Sequence, residues 1–107
     1  MRIALVYRNN DLAGRLTEKN GEYIFQYEDI YFLDRTKKSI SLTLPKTQRE
    51  YRSRILFPFF FNMLSEGVNK ELQCRQLQID ENDYFTLLIK TAGEDSIGTV
   101  TIKAEAQ

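Results

Sequence analysis

The sequence predicts an α+β domain: a small, curled, mostly antiparallel sheet of about five strands, packed with about three helices in the C-terminal half and finished by a closing strand. Three observations predict it. Up to Pro45 the apolar residues recur with period two, and Asn20-Gly21 marks a tight hairpin between two such runs. From Leu56 onward the apolar spacing turns helical. Ile97, Val100 and Ile102 then look like a closing strand, before a polar tail.

Ile3, Leu5 and Tyr7 alternate with Arg2, Ala4, Val6 and Arg8, the pattern of a half-buried strand. Asn9-Asn10-Asp11 is a turn cluster, and Leu12, Gly14 and Leu16 open a second alternating run. A type I′ turn needs positive φ at both central residues, which Asn20-Gly21 accepts, so that run joins Tyr23, Phe25 and Tyr27. After a looser segment, Ile40, Leu42 and Leu44 alternate with Ser41 and Thr43, and Pro45 ends the predicted fourth strand. Lys46 to Arg54 is polar and reads as an exposed loop. Pro58 suits the first turn of a helix, where a missing N–H costs nothing. Ser65 can cap a second helix running to about Leu77, with Val68 and Leu72 inward. Asp80 can cap a third, Asp83 adding charge that favours the helix dipole, with Tyr84, Phe85, Leu88 and Ile89 as the apolar face.

Composition narrows the chemistry. The 107 residues suit one domain, 1–107, and fifteen basic residues balance fifteen acidic ones, so no global charge drives the chain to nucleic acid or membrane. Histidine is absent, which removes the commonest general base and metal ligand, and the single Cys74 can build neither a disulfide nor a thiolate metal site. The chain is therefore expected to be no enzyme and to use no cofactor or metal. No basic-then-apolar leader opens it, and its apolar runs fall far short of the ~20 residues of a membrane span, so the cytoplasm is the expected compartment.

The densest apolar stretch is Pro58 to Gly67, P-F-F-F-N-M-L-S-E-G. Leu56, Phe59, Phe60, Met63 and Leu64 share one helical face, and Phe57 and Phe61 lie beyond its edge. At roughly 100° per residue the apolar arc widens to roughly 200°, well past the stripe of an ordinary surface helix. Either this helix is buried on two sides or one side is kept for a partner.

Three motifs bring a family into view. P-F-F-F-N-M-L-S-E-G, then R-Q-L-Q-I-D-E-N-D-Y-F-T-L-L from Arg75, then A-G-E-D-S-I-G-T-V from Ala92 resemble the N-terminal region of HipA-type Ser/Thr kinases. That pattern is approximately P-F-F-x-N-L-L-P-E-G, R-L-G-L-x-x-x-D-x-F-x-L-L and G-G-D-x-x-G-A. Ser41 to Pro45, S-L-T-L-P, matches as well, so the resemblance spans essentially the whole chain. In such kinases the ATP-binding and catalytic segments follow this region. The chain thus looks like the small component of tripartite HipBST toxin–antitoxin modules, in which the N-terminal subdomain is encoded separately. The resemblance implies two partners, a HipT-like kinase toxin and a HipB-like DNA-binding protein in a ternary complex, with DNA approached only indirectly. It implies restraint of the kinase; the alternative is a structural adaptor that stabilises the HipB–HipT–DNA complex without inhibition.

The candidate partner-binding residues are accordingly Phe57, Phe61, Asn62, Met63, Ser65, Glu66 and Gly67. Ser65 and Gly67 also suit a turn and cap, and Ser65 stands where the family has Pro. Lys46, Arg49, Arg52 and Arg54 are candidate phosphate or DNA contacts, against the simpler reading of a solvated loop. Glu94-Asp95 reads as turn chemistry, and Asp80, Glu81 and Asp83 as capping, without the ligand spacing of a calcium loop.

Overall fold

Two tight hairpins organise the sheet. The computed structural model describes residues 2–62, 64, 83–91 and 100–105. β1 (Arg2–Arg8) turns through Asn9 and Asn10, both at positive φ, into β2 (Asp11–Lys19). Asn20 and Gly21, also at positive φ, carry β2 into β3 (Glu22–Tyr27). Both are turns that only residues tolerant of the left-handed region make without strain. A short α1 (Asp29–Leu33) follows, then β4 (Glu50–Ser53), α2 (Pro58–Phe61), α3 (Tyr84–Thr91) and β5 (Val100–Ala104). The five strands form one antiparallel sheet in the order β4-β3-β2-β1-β5.

One face of that sheet is sealed. Ala4, Val6, Ala13, Leu16, Phe25 and Ile102 are fully buried there, beneath Phe60 of α2 and Phe85 and Leu88 of α3. In β1 the small pair Ala4 and Val6 takes the inner positions, which leaves depth for three phenylalanine rings. The larger Ile3, Leu5 and Tyr7 lie half-buried on the other side, where Lys103 reaches across the Tyr7 ring at 5.5 Å. A bulge between Val6 and Tyr7 places Ala13 and Gly14 together on the buried side of β2.

The fold class is as predicted; several element assignments are corrected. The fourth strand is Glu50–Ser53, not Ile40–Leu44, and it lies within the stretch read as an exposed loop. At residues 40–44 hydroxyl groups win over the alternation: Ser41 Oγ accepts from the Thr43 amide at 3.1 Å, and the Leu44 amide closes a turn on the Ser41 carbonyl at 3.2 Å. The segment is then pinned by Tyr27, whose buried hydroxyl donates to the Leu44 carbonyl and accepts from the Ile40 amide at 3.1 Å. Ile40 and Leu44 are thereby drawn inward, and Leu42 is left 99% exposed. Tyr27→Phe strands both backbone groups in the core, so a loss of about 1–2 kcal/mol is expected in urea denaturation.

α1 occupies part of the segment read as loose, so the described helices are not confined to the C-terminal half. Asp83 caps α3, Tyr84–Thr91: its Oδ1 accepts from the Thr86 amide at 3.2 Å, and its carbonyl takes the first helical bond, from Leu87. Leu87 joins the buried face of α3 unforeseen, while Phe85 and Leu88 are buried as expected. The helix read from Ser65, the Asp80 cap, Cys74, the Glu94-Asp95 turn and Ile97 lie outside the described residues.

Candidate functional site

α2 has four residues and no side-chain cap, so its position comes from packing and from Pro58 at its first turn. Phe60 points into the core, 5.7 Å from the ring of Phe25 and 5.2 Å from that of Phe59. Phe57 goes inward too. It is only 8% exposed and packs edge-on to Phe60 at 6.2 Å, which corrects the reading that set it beyond the edge of the buried face. As the residue before the helix its backbone is extended, so helical spacing does not govern where its ring points. Phe61 is the aromatic left at the surface, 38% exposed.

Phe61 meets Tyr84, the first residue of α3, edge-to-face at 5.4 Å. Between them, Pro58, the 71%-exposed Ile55, Arg54 and Tyr23 of β3 enclose an open cleft of about 520 Å³, with Asn62 on its rim. Burial, and then the charge of Glu18, holds the Tyr23 phenol above the usual tyrosine range, so it stays neutral at physiological pH. The cleft is apolar and aromatic with a few polar atoms at its edge, a lining suited to receiving another side chain. Phe61 and Asn62 of the predicted set are thus brought together here. Met63, Ser65, Glu66 and Gly67 lie outside the described residues. Tyr23, Ile55 and Tyr84 were missed, because no spacing in the sequence links residues from a strand, a connecting segment and a later helix.

Polar bonds fix the far wall. Arg2 reaches Glu18 at 2.6 Å, Asp83 at 2.9 Å and the Thr86 hydroxyl at 2.8 Å, clamping the start of α3 to β1 and β2. Burial disfavours the charge on Asp83, but bonds from Thr86 and Arg2 outweigh it and hold the carboxyl below the usual aspartate range. A depressed folded value stabilises at pH above the ordinary aspartate range, and that contribution is lost as pH falls through the depressed value. Asp83→Ala is therefore expected to cost about 1 kcal/mol at neutral pH. The gap to the parent protein should narrow in acid, as thermal melts across pH will show.

The four predicted cations do not form a patch. Arg49 is paired with Asp29, and Arg52 bridges Glu50 at 2.8 Å and Glu22 at 3.2 Å across the sheet edge. Charged side chains of this kind protect an exposed edge strand from pairing with other chains. Lys46 turns back to the carbonyls of Asp34 and Lys37, while Arg54 borders the apolar cleft. Among the described residues no group of His, Cys, Asp and Glu is placed to hold a metal ion, and no helix is long and apolar enough to cross a membrane.

Fold and cleft together define a small α+β domain with an aromatic-rimmed recess where α2 meets α3. The chain belongs to the HipA N-terminal domain family, whose profile matches residues 4–103. It is similar in structure to the "N-terminal domain of HipA toxin", with a TM-score of 0.76 and 28% identity, covering all of this chain and 95% of that one. A Haemophilus influenzae relative described as "Uncharacterized protein" is 31% identical over 107 residues, covering all of this chain and 96% of that protein.

Proposed function

We propose that the chain is the HipS-like, non-catalytic component of a HipBST-type toxin–antitoxin module, working in the cytoplasm. It docks on a HipT-like Ser/Thr kinase in place of the N-terminal subdomain that the kinase lacks, and it restrains that kinase. A HipB-like DNA-binding protein completes the ternary complex. Membership of the HipA N-terminal domain family supports this reading, since in a whole HipA-type kinase the catalytic segments follow this domain.

The observation that carries the reading is the apolar rim of the α2–α3 cleft. Phe61 and Ile55 stand exposed on either side of Pro58, with Tyr84 beneath Phe61. Such a cluster suits the centre of a protein interface, where aromatic anchors dominate the binding energy. Restraint then follows from occupying the kinase surface next to its nucleotide site, with no bond made or broken by this chain.

The direct experiment is autophosphorylation of the kinase with and without saturating amounts of this protein; an unchanged rate overturns the inhibitory role. Phe61→Ala is expected to weaken kinase binding about thirtyfold, or ~2 kcal/mol. Because Phe61 is partly exposed and its packing is limited to contacts such as Tyr84, its removal should cost only about 1 kcal/mol of stability, far less than loss of a core ring. Titration calorimetry against the kinase, paired with thermal melts, reads both quantities.

A further inference from the structure

A second recess lies away from Phe61, between α1, the Ser39–Pro45 turns and the sheet. It encloses about 810 Å³, and its floor and walls include Phe32, Ile40, Phe59 and Val100, with Leu42 standing free at the rim. Five cations line it, Arg8, Arg35, Lys37, Lys38 and Lys46, and no carboxylate does among the described residues. In a chain of zero net charge this is a pronounced local excess.

These cations differ in what they can offer. Lys37 is held by Asp11 at 2.5 Å. Lys46 donates to the Asp34 and Lys37 carbonyls at 2.6 and 2.9 Å and lies 5.1 Å from the centre of the Tyr31 ring. It serves as a fixed strut with its charge still facing the recess. Arg8, Arg35 and Lys38 have no carboxylate partner among the described residues; Arg8 bonds the Tyr31 hydroxyl and keeps its full charge, and Arg35 and Lys38 are exposed.

We propose that this recess is a docking site for a linear acidic–aliphatic segment of a partner protein. Its carboxylates would pair with Arg8, Arg35 and Lys38, and an aliphatic side chain would lie against Phe32 and Leu42. Charge complementarity selects an anionic occupant. The apolar walls select a peptide over nucleic acid: a duplex presents a broad convex row of phosphates, whereas this site is a concave pocket with hydrocarbon between its cations. Its volume also suits a few side chains at a time. The site is separate from the α2–α3 cleft, so it does not depend on the kinase-docking role proposed above.

The test is fluorescence polarisation of the full chain with a labelled peptide of repeating Glu-Glu-Leu, run beside the same peptide with Gln for Glu and a labelled DNA duplex. Saturable binding of the acidic peptide alone is expected. It should weaken about tenfold or more in an Arg35→Glu, Lys38→Glu double variant and should persist in Arg52→Glu, whose cation lies on the sheet edge. Leu42→Asp should weaken it as well. Both reversed residues are exposed, so melting curves matching the parent will show that the variant is folded. Absence of binding overturns the proposal. So do equal binding of the Gln peptide, indifference to the charge reversal, or tighter binding of the duplex.

Discussion

Phe60→Ala is expected to remove about 3–5 kcal/mol of folding stability. The ring is fully buried and in aromatic contact with Phe25, Phe57 and Phe59, so truncation opens a cavity walled by three rings that cannot all close around it. Local structure offers little compensation. α2 is one turn long and uncapped, too short to form on its own propensity, and its burial through Phe60 is what holds it on the sheet. Against a total of about 5–15 kcal/mol for a domain of this kind, the loss is a large share. Urea denaturation should show a midpoint far below that of the parent. Kinase binding should fall as well, because Phe61 is carried on the same turn. Phe61→Ala supplies the contrast: binding falls while the midpoint moves much less. A Phe60→Ala protein as stable as the parent would mean that α2 is held by contacts other than this ring.

The parts of the fold legible in the sequence are those set by local chemistry. Asn20-Gly21 and Asn9-Asn10 specify their hairpins because few other residues accept that backbone, and Pro58 marks the start of α2 because its fixed φ suits a first turn. Alternation in β1, β2 and β3 is equally local. Misreadings arise where a distant group decides. Ile40 to Leu44 alternates like a strand, but Ser41 and Tyr27 hold it as turns, and the edge position is taken by Glu50–Ser53, whose only inward signal is Tyr51.

The candidate sites follow the same division. Phe61 and Asn62 were found because an aromatic run is conspicuous, but the wall facing them comes from β3 and α3. The basic group read from the sequence, Lys46 to Arg54, is dispersed: Asp29 neutralises Arg49, Glu22 and Glu50 neutralise Arg52, Lys46 turns to backbone carbonyls, and Arg54 borders the cleft. The true concentration of positive charge joins Arg8 of β1 to Arg35–Lys38 after α1. The run R-T-K-K at 35–38 was its one local signal.

Gly14→Val is the second large expected effect, and it tests how sheet and cleft are linked. Gly14 is not at positive φ, so its backbone conformation does not demand glycine. Space does. A Cβ there would lie 2.5 Å from the Gln26 carbonyl oxygen and 2.8–2.9 Å from two carbons of the Phe25 ring. The oxygen belongs to the β2–β3 ladder, and the ring is fully buried against Phe60, so neither can retreat without moving its neighbours. A valine adds two further methyl groups in the same place. The entropic gain from replacing glycine, about 0.4–1 kcal/mol, is too small to offset overpacking, and a net loss of about 3 kcal/mol is expected in urea denaturation. The displacement should pass from Phe25 to Phe60 and so to α2, and kinase affinity should fall although residue 14 lies in the middle of the sheet. If Gly14→Val is destabilised yet binds the kinase as tightly as the parent, the sheet and the aromatic cleft are mechanically independent. Docking would then have to rest on another surface.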